Sequence, residues 1–203
     1  MSKRGRFGKY GEIKRISRLQ KARTTSMHVV GLGTKATKGG TIRKEKKPQR
    51  LHVELRPAEA SDVEFIRNLT HRVFRQYGPY EQMLPQWFES GITLTLLAFM
   101  DRMPVGFAML SRPIPTWVLP RICELLAIAV DPAKQRLHVA DLLLKNLEKT
   151  AGKLKVKKLV LHTAKQNFPA QNLFRKHGFV PSEIKKSFYP NGQDALLMYK
   201  NLV

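Results

Sequence analysis

From Leu51 onward, apolar and polar positions alternate in two rhythms, one of period two and one of three to four. "LHVELRPA" at 51–58 has the period-two rhythm and predicts a strand. "SDVE" at 61–64 reads as a capping box opening a helix that turns Val63, Ile66, Leu69 and Val73 inward. "PYEQMLPQWFES" predicts a second, shorter helix. "ITLTLLAF", a turn at "MDRMP" and "VGFAMLSR" predict a hairpin, and "ICELLAIAV" a long buried strand. After a tight turn, Val139, Leu142, Leu143 and Leu147 share one helical face, with Lys145, Glu148 and Lys149 on the other. A strand "KLVLHT" follows, then a short helix "PAQNLFRKHG" with proline near its start and Gly178 at its end. "SFYPNGQDALLMYK" turns at "PNG" into a last strand. Antiparallel runs around one central strand–helix–strand crossover predict an α/β (mixed α+β) fold, a mixed sheet flanked by helices.

Residues 1–50 break this pattern. They hold 16 Lys and Arg against 2 acids, net +14, whereas 51–203 hold 21 against 13, net +8. Ile13, Ile16 and Leu19 make at most a narrow stripe, and "GLGTKATKGGTIRKEKKPQR" cannot build a core. The chain therefore divides into a basic tail over 1–50, disordered when free, and a folded domain over 51–203. The "GLG" at 31–33 follows no convincing strand signal and opens no helix signal, so it makes a poor dinucleotide site.

The total charge of +22 favours polyanionic partners, and a tail of this composition suits docking on RNA or the ribosome. An Arg-rich, acid-poor start also has the character of an organelle transit peptide, which would be cleaved, and a solubilising extension is the plainer reading. The single cysteine, Cys123, forbids an internal disulfide and a cysteine metal framework, and on a strand it reads as core. A reducing cytoplasm is the expected setting. The longest apolar runs fall well short of a membrane span, so no transmembrane segment is expected.

Chemistry concentrates at "AIAVDPAKQRLHVADLLLKNLEK", residues 127–149, where a buried strand turns into a helix. Such a helix start carries unpaired N–H groups and the positive end of the helix dipole, a place that attracts phosphate. Glycine is absent from the turn. "AIAVDPAKQRLHVADLLL", "LVLHTAKQNFPAQNLFRKHGFV" and "SFYPNGQDALLMYK", in this order and spacing, resemble the GNAT superfamily of acetyl-CoA-dependent N-acyltransferases. The likeness extends over roughly residues 51–200 and is strongest to the ribosomal-protein alanine N-acetyltransferase type.

The resemblance implies that the strand at Ile128, Ala129 and Val130 splays from its neighbour and binds the pantetheine arm of acetyl-CoA, with the pyrophosphate on the turn formed by Gln135, Arg136, Leu137, His138, Val139, Ala140 and Asp141. Gln135 and Ala140 fit the family pattern, and His138 stands where it has glycine. A phosphate is still accommodated if the turn keeps negative φ and the imidazole points away. Asn167 matches an asparagine that contacts the cofactor.

The catalytic positions also depart. Where these relatives have a glutamate base the chain has His162, and where they have a tyrosine acid it has Phe174, which cannot donate a proton. Glu124 matches the position from which the histone-acetyltransferase branch takes its base. Glu124 and His162 are therefore alternative bases and Tyr189 the candidate acid. Their structural readings are a partnered strand carboxylate, a packed imidazole and a turn tyrosine. The resemblance implies acetyl transfer to a protein amine, such as a ribosomal-protein N-terminus; the alternative is a catalytically degenerate relative kept as an RNA- or ribosome-binding component. "RPIPTWVLP" at 112–120, with Trp117, is expected to wall the acceptor site.

Overall fold

The computed structural model describes residues 25–29, 51–113 and 121–202, so the "GLG" at 31–33 and Trp117 lie outside the described residues. Among the described residues, eight strands form one mixed sheet, in the order β1-β2-β3-β4-β5-β6-β8-β7. β2 (Leu51–Pro57), β3 (Thr93–Met100), β4 (Met103–Ser111) and β5 (Ile122–Val130) are antiparallel neighbours. The β3–β4 hairpin closes through Asp101 and Arg102, whose φ values of 50° and 63° give a two-residue turn matched to strand twist. Inside the segment read as a tail, β1 (Thr25–Val29) pairs antiparallel along β2 and takes its open edge. Its "TSMHV" is a short run of β-compatible residues in otherwise Gly- and Lys-rich surroundings.

The first helix begins differently from the predicted capping box at 61–64. One 3-10 turn over Ala60–Asp62 precedes α1 (Val63–Phe74), and the reciprocal cap joins Glu59 to Asp62, with the Glu59 N–H donating to Asp62 at 2.7 Å. The cap sits there because Arg56, at the end of β2, also donates to both Asp62 oxygens, at 2.7 and 2.9 Å. Ile66 and Leu69 are buried as expected, Val63 and Val73 half-buried. Pro85 lies inside α2 (Tyr80–Glu89) and cannot donate to the Glu81 carbonyl; Arg67 Nη1 donates to that oxygen instead, at 3.3 Å.

The sheet is covered on both faces. Ile66, Leu69 and Leu84 from α1 and α2 pack on Phe107, Met109, Ala127 and Ala129; α3 (Val139–Lys153) packs Val139, Leu142, Leu143 and Leu147 on the other face with Ala108, Leu110, Cys123 and Leu125. Along β5 the two faces are not in simple alternation. Cys123 and Leu125 face α3, yet Ala127 and Ala129 face α1 and α2, because the register with β4 slips between Met109 and Leu110 and leaves Leu126 unmatched. This bulge reverses the parity of the strand's last third.

The crossover β5–α3–β6 (Lys158–Ala164) is parallel, but only Ile122–Leu125 pair with Lys158–Leu161. Beyond Leu125 the two strands part, and β6 continues against β8 (Ala195–Asn201) alone. The splay implied for Ile128–Val130 is therefore present, and it begins at the bulge. α4 (Phe168–Lys176) follows β6 and ends at Gly178, whose φ of 81° suits glycine. β7 (Val180–Lys185) is an edge strand that the pattern of apolar residues does not announce, since all six of its residues are exposed. No helix among the described residues is long and apolar enough to cross a membrane.

Candidate active site

Where β5 leaves β6, a cleft of about 800 Å³, mouth included, opens on the face covered by α1 and α2. Glu124 and His162 both line it. They are 38 residues apart in sequence, yet His162 Nδ1 lies 2.8 Å from Glu124 Oε1, because the parallel register sets Glu124 beside Val160, two residues before His162. With Glu124 ionised, the matching tautomer donates Nδ1–H to the carboxylate and leaves the Nε2 lone pair as a proton acceptor. Phe188 stacks on the imidazole at 4.2 Å and 16°, which fixes the ring plane. The two alternative bases read from the sequence are thus one hydrogen-bonded pair.

Tyr189 lies in the same cleft, 4.9 Å from Tyr77 and 6.2 Å from Tyr80 between ring centroids. Burial holds the Tyr189 phenol well above its ordinary pKa, and Tyr80, Tyr77 and Glu124 push it further the same way. Such a phenol keeps its proton and suits hydrogen-bond donation to a developing anion better than outright proton transfer. Tyr80 is raised as well, by burial and then by Glu124. Phe174 is buried edge-on against Phe179 at 5.9 Å and supplies no hydroxyl. Cys123 is also buried, and burial pushes its thiol up to about 11, so it is no nucleophile.

Sequence reasoning missed the aromatic wall of this cleft: Phe74, Tyr77, Tyr80 and Trp87 from α1, α2 and their junction, and Phe188 beside Tyr189. The signal was "QYGPY", two tyrosines flanking a Gly-Pro turn. Gly78 has φ of 140°, and a Cβ there would sit 2.7 Å from Pro190, so this turn lies directly against the loop before β8. Asn191 Nδ2 and Gln193 Nε2 both donate to the Gln76 carbonyl, at 3.1 and 2.6 Å, binding the two loops together across one side of the cleft.

The turn expected to take the pyrophosphate, residues 135–141, lies at the other end of β5. Gln135 Nε2 donates to the Val130 carbonyl at 3.3 Å, closing the turn behind the strand. Leu137 and Val139 pack into the core, so only their backbone groups face outward chemistry, and Ala140 is half-buried beside them. The expectation of negative φ is corrected. Arg136 and His138 have φ of 61° and 59°, the left-handed conformation that the family's glycine would adopt without strain. His138 occupies the N-cap position of α3 but does not cap it; its Nδ1 lies 3.2 Å from Asp141 Oδ2, which draws the ring along the helix's first turn.

No side chain caps the α3 N-terminus, so its first N–H groups are available to an anion. Burial alone would raise the Asp141 carboxyl, but hydrogen bonds from Lys176, His177 and His138 and the Lys176 charge outweigh it and hold the group below its ordinary value. Asp141 thereby ties the start of α3 to the end of α4. At the start of α4, Asn167 Oδ1 accepts from the Ala170 N–H at 3.2 Å, and the Tyr77 hydroxyl lies within hydrogen-bonding reach of its side chain.

His138→Gly is expected to relieve about 1 kcal/mol of backbone strain and to tighten acetyl-CoA binding or leave it unchanged. Thermal melts and calorimetry check this. A large loss of affinity would mean that the imidazole itself touches the phosphate.

Residues 62–179 match the acetyltransferase (GNAT) family. A candidate ribosomal protein bS18-alanine N-acetyltransferase of Bacillus subtilis (strain 168) is 29% identical over 84 residues, an alignment spanning 41% of this chain and 56% of that protein. An N-alpha-acetyltransferase of Saccharolobus solfataricus is 25% identical over 158 residues, 73% of this chain and 92% of that one. In fold, the crystal structure of Arabidopsis thaliana NAA60 in complex with acetyl-CoA is similar with a TM-score of 0.65 at 19% identity, covering 74% of this chain and 98% of that one.

Proposed function

The chain belongs to the acetyltransferase (GNAT) family, whose members use acetyl-CoA, and from that premise we propose that it transfers an acetyl group to a protein amine. The observation that carries this reading is the Glu124–His162 pair at the point where β5 and β6 part. The residues fit the donor: an opened strand edge at Ile128–Val130, an uncapped α3 N-terminus, and Asn167 lining the cleft with Ile128. Acetyl-CoA supplies an acyl carbon activated as a thioester.

The chain's own groups do the rest. His162 Nε2 takes the proton of the attacking amine, and the Glu124 carboxylate stabilises the imidazolium that results. As the new N–C bond forms and the C–S bond breaks, Tyr189 donates a hydrogen bond to the departing sulfur. The aromatic wall encloses the amine on the α1–α2 side. In the finer reading the acceptor is a protein N-terminus, a ribosomal protein in particular, and residues 1–50 dock the enzyme on RNA or the ribosome; the net +14 of that segment supports this. The loss of the tyrosine at Phe174 favours the competing reading, a degenerate relative that only binds.

Titration of acetyl-CoA into the full chain, followed by mass spectrometry of a peptide with an N-terminal alanine, separates the two. Heat of binding and a mass gain of one acetyl group are expected. Neither heat nor thermal stabilisation at millimolar acetyl-CoA would end the enzyme reading.

A further inference from the structure

The net +8 of residues 51–203 is not spread evenly over the folded surface. Nine of the thirteen acids in this part of the chain pair with a basic side chain: Glu54, Asp62, Glu64, Glu124, Asp131, Asp141, Glu148, Glu183 and Asp194. The run "KTAGKLKVKK" at 149–158 carries five lysines and no acid. It forms the last turn of α3, the following turn and the start of β6. The crossover adds a sixth cation from a distant stretch. Arg121 Nη1 donates to the Leu154 carbonyl at 2.9 Å, and the Lys157 N–H donates to the Arg121 carbonyl at 2.8 Å.

Lys149, Lys153, Lys155, Lys157 and Arg121 are exposed, and Lys158 lies half-buried over the Tyr199 ring at 4.2 Å. None of the six pairs with an acid among the described residues. Like charges gathered this way repel one another and lower folded stability, a cost that is offset when a polyanion neutralises them.

We propose that the α3–β6 end of the folded domain, formed by Arg121, Lys149, Lys153, Lys155, Lys157 and Lys158, binds the phosphodiester backbone of RNA. Lysine ammoniums are mobile point charges that satisfy phosphates without reading bases, so the contact is sequence-tolerant. A membrane surface is a poorer match. Among the described residues the exposed aromatics, Phe168 and Phe188, lie at the start of α4 and before β8 rather than in this run, where the exposed large apolar neighbour is Ile122 beside Arg121. The surface is distinct from the acetyl-CoA turn, because the two lie toward opposite ends of α3, whose 15 residues rise about 22 Å at 1.5 Å per residue. Its residues lie outside 1–50 in the sequence, and it does not depend on the acetyl-transfer reading.

The test uses the full chain, fluorescence anisotropy with labelled oligouridine over a range of KCl concentrations, and photo-crosslinking with 4-thiouridine RNA. Lys153→Gln/Lys155→Gln/Lys157→Gln should lower the slope of log affinity against log salt by roughly 0.7 per lysine, about 2 in all. Arg67→Gln/Arg75→Gln/Lys185→Gln removes the same charge from other surfaces and should change the slope much less. Crosslinks should map to 149–158, and saturating acetyl-CoA should leave RNA bound. An equal effect in the two triple variants, crosslinks confined to 1–50, or displacement of RNA by acetyl-CoA would overturn the proposal. So would variant-dependent binding of phosphatidylserine vesicles with no change in RNA affinity.

Discussion

Glu124→Gln is expected to lower kcat by about 10²- to 10⁴-fold while leaving the Kd for acetyl-CoA within about twofold. Glutamine keeps the length and shape of the side chain, so the cleft and its 2.8 Å contact with His162 can survive. What it removes is the negative charge that favours an imidazolium, and its amide can also donate to Nδ1 and leave Nε2 carrying the proton, which is the wrong tautomer for a base. The cofactor should be indifferent, since its expected contacts are backbone groups further along β5 and at the α3 N-terminus. Because the two side chains act as one unit, Glu124→Gln/His162→Gln should be little worse than the poorer single variant. Steady-state kinetics with a saturating N-terminal peptide, beside calorimetry for acetyl-CoA, measures each arm. Abolished turnover in His162→Gln with a silent Glu124→Gln would remove Glu124 from the chemistry.

That pairing illustrates what could be read along the chain and what could not. β3, β4, β5 and α3 were legible because each buries apolar residues at its own period, and the crossover order then implied a parallel β5–β6 pair. The register of that pair is a tertiary fact. It decides that Glu124 meets His162, and nothing local to either residue signals it. β7 was illegible for the opposite reason: with every residue exposed and Pro181 within it, its place depends on the edge that β8 offers. The turn after β5 was legible as a strand-to-helix junction, but not in its backbone conformation. Left-handed φ at Arg136 and His138 is uncommon for such residues, and the surrounding junction imposes it. The basic end was visible only in part, since Arg121 reaches the lysines through the crossover.

Gly106→Ala is expected to destabilise the domain by about 1–3 kcal/mol and to weaken acetyl-CoA binding together with it. Gly106 lies on β4 opposite Val130, and a Cβ there would stand 2.8 Å from the Ala129 carbonyl oxygen, with Val130 Cγ2 at 3.3 Å. The nearest obstacle is backbone, so no rotamer change can relieve it, and β5 must move away from β4. The displaced segment is Ile128–Val130, where β5 has parted from β6 and has β4 as its remaining strand neighbour. A shift there propagates into Asp131, which receives both Arg72 Nη1 and Nη2 at 3.1 Å, and from it into the turn at 135–141. At about 2–4 °C per kcal/mol for a chain of this size, the melting temperature should fall by roughly 2–12 °C. The further rise in melting temperature on adding acetyl-CoA should shrink as well. Gly152→Ala is the matched control: it sits in α3 with nothing within 4 Å of an added Cβ, and there alanine should gain about 0.5–1 kcal/mol. Equal melting temperatures and equal acetyl-CoA affinity in Gly106→Ala and the unsubstituted chain would show that β4 does not hold Ile128–Val130 in place for acetyl-CoA.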